Sequence, residues 1–231
     1  EWLLNYVDKN SPSKDNNNYI FINSPKNCGK GSALQKGLQS ASGDYILFQD
    51  SDMELDTTDS KEMYDLIKKN TEMKVLFGSR FISGKLRANK NFINEIFVRL
   101  NSIIFNLLFR QSITDLHCGT KIIAKEIIDK IKLSINDFGF EIDIASQIAK
   151  TDYKIYEYGV SYFSRTKAEG KKVTWMDGIL SQFYLFKTRF IDNDLSILLS
   201  IIYTIIYMIF IGSYFGMGIG KALVIILFCI I

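Results

Sequence analysis

Asp50, Asp52 and Glu54 stand at alternate positions in the run DSDME. Carboxylate oxygens are hard donors, and alternate carboxylates on an extended segment can converge on one Mg²⁺ or Mn²⁺. Such an ion can neutralise a diphosphate and stabilise it as a leaving group. The same residues also fit a solvated acidic loop. They do not fit an EF-hand, because the sixth position counted from Asp50 is Leu55 rather than glycine and the twelfth is Lys61 rather than glutamate.

A second candidate is NCGKGS, residues 27–32. It is not a Walker A loop: Ser24 stands where the first glycine is needed, and Gly31 follows Lys30 where serine or threonine is needed. A glycine-flexed helix start beside Lys30 could still face an anion, or be a plain capping turn. Cys28, Cys118 and Cys229 are scattered, with no CxxC or Cys/His cluster, so neither zinc nor a disulfide framework is expected and a reducing compartment fits.

The elements that must carry these residues follow from hydrophobic patterning. Residues 19–23 (YIFIN) read as a buried strand, 32–40 as a helix, 45–49 (YILFQ) as a strand, 59–69 as a helix and 73–79 (MKVLFGS) as a strand. This alternation predicts an α/β fold with a mostly parallel sheet and helices on both faces. Ligands on such sheets bind beyond the carboxyl ends of strands, where Asp50 and Asp52 lie. A helix at 141–150 and a strand at 154–160 come later. Residues 92–109 form a helix with an apolar side (Phe92, Ile93, Ile96, Phe97, Leu100, Ile103, Ile104, Leu107, Leu108) and a polar side (Asn94, Glu95, Arg99, Asn101, Ser102, Asn106). It fits either a core-packing helix or one lying in a membrane interface.

Composition divides the chain. Hydrophobic residues make up 47% and charged ones 23%, which excludes disorder. A net charge of +3 gives no reason to expect nucleic acid as a partner. Residues 195–231 carry a single charge, Lys221, and 195–219 carry none. As a helix that uncharged stretch would be about 37 Å long at about 1.5 Å per residue, enough to cross a bilayer. Glycines 212, 216, 218 and 220 suggest a turn before a second, cut span at 222–231. Residues 178–194 read as an amphipathic interfacial segment and 195–231 as a transmembrane region. Lys187 and Arg189 just before the span predict a cytoplasmic membrane location, with the soluble domain (1–177) facing the cytoplasm. Both ends read as cut, so a fragment of a longer protein is expected.

NCGKGSALQKGLQSASGDYILFQDSDMELDTTD, LFGSRF, TDLHCGTK, FGFEIDIASQIAK and RTKAEGKKVTWMDG occur in that order. Together they resemble family-2 glycosyltransferases of the dolichyl-phosphate mannose/glucose synthase-like branch, over residues 1 to about 190. The resemblance implies a GT-A fold, a UDP- or GDP-sugar donor, Mg²⁺ or Mn²⁺, and transfer with inversion to a polyprenyl phosphate in the membrane. It implies that Asp50 and Asp52 are the D-x-D pair, Asp52 being also catalytic, and that Glu54 completes the metal shell. It implies a lipid-phosphate role for Arg80, a base role for Asp115, and closure over phosphates by Arg165 with Lys171 or Lys172. Lys30 is carried as a donor-side residue. The arginines also fit surface ion pairs.

Departures from that pattern matter. The P-x-Y-N-E and D-D-G-S-type blocks that bind base and ribose in the family do not occur, and no Q-x-x-R-W block follows, which disfavours a processive synthase. HCGTK departs from the family's usual forms and puts His117, the only histidine, beside Asp115; a structural role is favoured for it. A different cell-envelope acceptor, a metal-dependent sugar nucleotidyltransferase and a non-catalytic membrane scaffold are the competing readings. A homo-oligomer is left open.

Overall fold

The computed structural model describes residues 20–82, 84–88, 92–165, 169, 175–192 and 202–207. Its helices are α1 (Lys30–Ser40), α2 (Thr57–Lys69), α3 (Phe92–Phe109), α4 (Lys125–Ile128), α5 (Phe140–Ala149) and α6 (Trp175–Phe186), the last continued by a π-helical turn at Lys187–Ile191. The strands are β1 (Tyr45–Phe48), β2 (Val75–Ser79), β3 (Arg87–Ala88), β4 (Lys121–Ala124), β5 (Tyr156–Gly159) and β6 (Tyr162–Phe163).

The main sheet has the order β1-β4-β2-β5. β4 runs antiparallel to both β1 and β2, whereas β2 and β5 are parallel. β1, β2 and β5 therefore share one direction, as the alternation predicts. β4, however, is inserted against them, so the sheet is mixed rather than a purely parallel βαβ array. Its four residues, KIIA, lie directly after the HCGT turn, too short a run to separate from that motif by pattern alone. A two-stranded parallel pair, β3 with β6, sits apart from this sheet.

Side-chain alternation divides the sheet into two buried faces. Val75, Phe77 and Ile123 pack with Phe105 of α3 and Ile144 and Ile148 of α5. Leu76 and Ile122 pack on the other face with Met63 and Ile67 of α2. β2, buried along its whole length, is the middle of this three-layer arrangement. Asp56 caps α2 by accepting from Thr58 N at 2.8 Å, and Lys68 and Lys69 complement the dipole at its far end.

One expectation is corrected here. Residues 20–23 form no strand, and Ile20, Phe21 and Ile22 are exposed. The helix at 92–109 is present and packs on the core through Phe105 and Phe109, with Ile104 and Leu108 beside them. Asn101 and Ser102 are buried with Phe105 and Phe109, while Phe92, Ile93, Ile96, Leu100, Ile103 and Leu107 face outward. Among the described residues α3 is the one helix long and apolar enough to cross a membrane by length and composition. Of the expected span at 195–219, residues 202–207 are helical. The rest of it, the second span and Lys171 and Lys172 lie outside the described residues.

Candidate active site

A cavity of about 230 Å³ opens beyond the carboxyl ends of β1 and β2. The loop after β1 brings Asp50, Asp52 and Glu54 to it, and the residue after β2 brings Arg80. Lys30 enters from the start of α1, Glu141 from the start of α5, and Asn101 from α3. The site thus sits where strands of common direction end.

α1 does not offer its N-terminus to an anion. Gly31 N donates to Asp137 O at 3.2 Å and Ser32 N to Asn136 O at 2.9 Å. This approach requires glycine: a Cβ on Gly29 or Gly31 would lie 2.4 Å or 2.3 Å from the carbonyl oxygen of Asn136 or Ile135. What the turn delivers is Lys30, whose Nζ lies 2.7 Å from Asp50 Oδ1 and 2.5 Å from Glu141 Oε1. Burial opposes the ammonium charge, but Glu141 and Asp50 outweigh it and raise the Lys30 pKa above the ordinary lysine range.

The acidic run is a turn rather than an extended segment. Met53, between Asp52 and Glu54, has φ 59°, a left-handed conformation uncommon outside glycine and asparagine. Asp52 Oδ1 accepts from Glu54 N at 3.2 Å. Arg165 then draws both carboxylates together, with Nη2 3.0 Å from Asp52 Oδ2 and backbone N 3.0 Å from Glu54 Oε1. Glu54 also accepts from the Tyr162 hydroxyl at 3.1 Å. Asp50 is packed against Gly119, where a Cβ would come within 2.0 Å of Oδ2.

No group of three carboxylate, histidine or cysteine side chains gathers at one point among the described residues. The expected Asp50–Asp52–Glu54 triad is therefore not assembled: Glu54 is buried and bonded within the chain, while Asp50 and Asp52 remain about one-third exposed at the cavity. A Mg²⁺-like ion needs only one or two carboxylates when substrate phosphates complete its shell. The exposed Asp50 and Asp52 oxygens fit that requirement.

Arg80 and Asp115 form a fork. Nε donates to Oδ2 at 2.7 Å and Nη2 to Oδ1 at 2.8 Å, and Arg80 N adds a third bond at 3.1 Å. Asp115 is fully buried. Burial favours its neutral form, but the Arg80 charge outweighs this and lowers its pKa. Glu157 of β5 braces the turn from below, accepting from Thr114 N and Asp115 N at 2.8 and 3.1 Å. Arg80 lies over the Tyr162 ring, 5.1 Å from its centroid, and lines the cavity.

His117 also lines the cavity. Its Nε2 lies 2.9 Å from Asn101 Nδ2, and Asn101 Oδ1 accepts from Gln182 Nε2 of α6. Burial pushes the His117 imidazole down to about 4. Asn101, Gly119, Glu141 and Tyr162 are site residues that the sequence reading assigned no role. Their signals were polar or glycine positions inside otherwise apolar elements, Glu141 at the head of FEIDIASQIA above all.

A mixed sheet covered on both faces, with an acidic loop at the strand ends, fits a GT-A-like glycosyltransferase fold. Residues 3–132 match the model of glycosyl transferase family 2, and the chain belongs to that family. It is 26% identical over 177 residues to the dolichyl-phosphate beta-glucosyltransferase of Dictyostelium discoideum, covering 74% of this chain and 52% of that protein. It is 29% identical over 142 residues to a dolichyl-phosphate beta-glucosyltransferase of Trichomonas vaginalis, covering 54% and 42%. The chain thus spans about half the length of these curated relatives. In fold it is similar to glucosyl-3-phosphoglycerate synthase from Mycobacterium tuberculosis solved with Mn²⁺ and UDP-glucose. That match has a TM-score of 0.54 at 14% identity, covering 72% of this chain and 56% of that one.

Proposed function

We propose that this chain carries the catalytic core of a membrane-associated glycosyltransferase that moves a sugar, glucose first among candidates, from a nucleotide donor to a polyprenyl phosphate. The observation that carries the reading is a juxtaposition. One cavity is lined by Asp50, Asp52 and Arg80 together with residues of α3, a helix whose outer face is exposed and apolar. Relatives 26% and 29% identical to this chain are named dolichyl-phosphate beta-glucosyltransferases.

In this reading the donor diphosphate lies against Asp50 and Asp52, which would hold Mg²⁺ or Mn²⁺. When bound there, the ion supplies neutralisation of the departing nucleoside diphosphate. Lys30 and Arg165 hold the two carboxylates in place and stand beside the developing charge. The acceptor phosphate meets Arg80. Asp115 acts by fixing that guanidinium, since both of its oxygens already accept from Arg80. A phosphate acceptor is largely ionised near neutral pH, so alignment of its oxygen with the sugar carbon does most of what a base would do. The outer face of α3 rests in the membrane interface, with Lys187 and Arg189 toward a cytoplasmic headgroup layer. Lys171 and Lys172 remain part of the proposed phosphate-closing segment.

The test is transfer from UDP-glucose and GDP-mannose to dolichyl or undecaprenyl phosphate by the full-length protein in nanodiscs, with Mg²⁺ or Mn²⁺. Lipid-linked glucose formed with one metal and abolished by Asp52→Ala is the expected result. Transfer to a soluble glycan alone would replace the acceptor class.

A further inference from the structure

We propose that His117 is a substrate-binding residue whose Nδ1–H, set by the Gln182–Asn101 pair, donates a hydrogen bond to a substrate oxygen in the cleft. The proposal rests on the cleft being the transfer site. The relay begins on α6, where the Gln182 side-chain amide donates to Asn101 Oδ1. With Gln182 taken as the donor, Asn101 turns its Nδ2 to His117 Nε2, 2.9 Å away. A neutral imidazole that accepts at Nε2 carries its proton on Nδ1.

Among the described residues Nδ1 makes no hydrogen bond, and no buried side-chain nitrogen or oxygen there lacks a partner. Nδ1 thus keeps some solvent exposure, on a residue that lines the cavity. The downward shift of this imidazole by burial keeps it neutral near pH 7, so that it donates without bringing charge. His117 N donates to Asp115 Oδ1 at 3.2 Å, which ties the His117 backbone to the carboxylate that holds Arg80. His117 and Arg80 line the same cavity. Neutral donors add orientation where the arginine supplies charge.

His117 is the sole histidine of the chain, so ¹⁵N-histidine labelling of the full chain in detergent observes it alone. The expected spectrum is that of the neutral Nδ1–H form between about pH 6 and pH 8, moving toward Nε2–H in Asn101→Ala. A native Nε2–H spectrum overturns the relay. UDP-glucose with Mg²⁺ and a short-chain polyprenyl phosphate are then added separately. A shift of Nδ1 with one of them identifies the oxygen as donor-side or acceptor-side, and Nδ1 unmoved by ligands that equilibrium dialysis shows to bind overturns the contact. If neither ligand binds, the functional reading fails while the spectrum still decides the relay. In steady-state kinetics, His117→Ala should lower kcat/KM about tenfold, the scale of one neutral hydrogen bond. His117→Asn, with an amide donor near the Nδ1 position, should recover part of it. Equal loss in both variants would mark a packing role and overturn the proposal.

Discussion

The guanidinium of Arg80 and the carboxylate of Asp115 meet through two parallel bonds of 2.7 and 2.8 Å, with Asp115 wholly buried. A buried pair of this kind gives modest net stability, but removing one member leaves the other charge unbalanced. Asp115→Asn should therefore cost about 3 kcal/mol in urea unfolding. The folded pKa of Asp115 is lowered, so its contribution is fully present above the unfolded value of about 4 and is lost as pH falls through the folded one. The acid limb of the native stability profile should flatten in Asp115→Asn; an unchanged limb would remove the ion pair from the account.

His117 predicts a second, separate pH dependence. Its imidazole sits at about 4 in the folded chain and about 6.5 in an unfolded one. Between those values the unfolded state takes up a proton that the folded state does not, so stability falls as pH drops. Acidification from about pH 7 to pH 5 should cost roughly 2 kcal/mol. Chemical denaturation of the native chain and of His117→Asn, side by side, measures this, with the slope expected only in the native chain.

Gly119 and Asp50 give a test of the metal-side geometry. A methyl at 119 would meet Asp50 Oδ2 at 2.0 Å, an atom at the end of a side chain that can swing away. Gly119→Ala should keep the fold, with thermal stability within about 1 kcal/mol of native, and lower metal-dependent donor binding at least roughly tenfold. Calorimetric titration of Mn²⁺ with UDP checks this. Native affinity in Gly119→Ala would show that Asp50 has no part in binding.

The outward face of α3 makes a prediction about the membrane. Ile103 and Leu107 are 56% and 76% exposed, and each would gain roughly 1–2 kcal/mol from burial in an interface. A diazirine phospholipid in nanodiscs should label the peptide 92–109 and spare α2, residues 57–69. Equal labelling of both would indicate that α3 does not rest on the bilayer.

The sequence by itself determined the elements whose side chains meet in regular periods. The strands ending before Asp50 and Arg80, the helix at 92–109 and the strand ending at Gly159 follow from local patterning, because apolar periodicity is a local property. The acidic loop was legible for the same reason, since Asp50 and Asp52 declare themselves by type and spacing. Tertiary structure alone decided how they are used. It inserted β4 antiparallel between β1 and β2, a pairing that depends on residues more than forty positions apart. It turned the chain at Met53 so that Glu54 faces Tyr162 and Arg165 rather than joining a metal triad. It buried Asn101 and Ser102 of α3 together with Phe105 and Phe109 and left Phe92, Ile96, Ile103 and Leu107 outside, which periodicity cannot decide because a helical stripe shows that a helix has two faces and not which faces inward. It also built the Gln182–Asn101–His117 relay from three separate segments, for hydrogen-bond partners are set by chain packing and leave no spacing in the sequence.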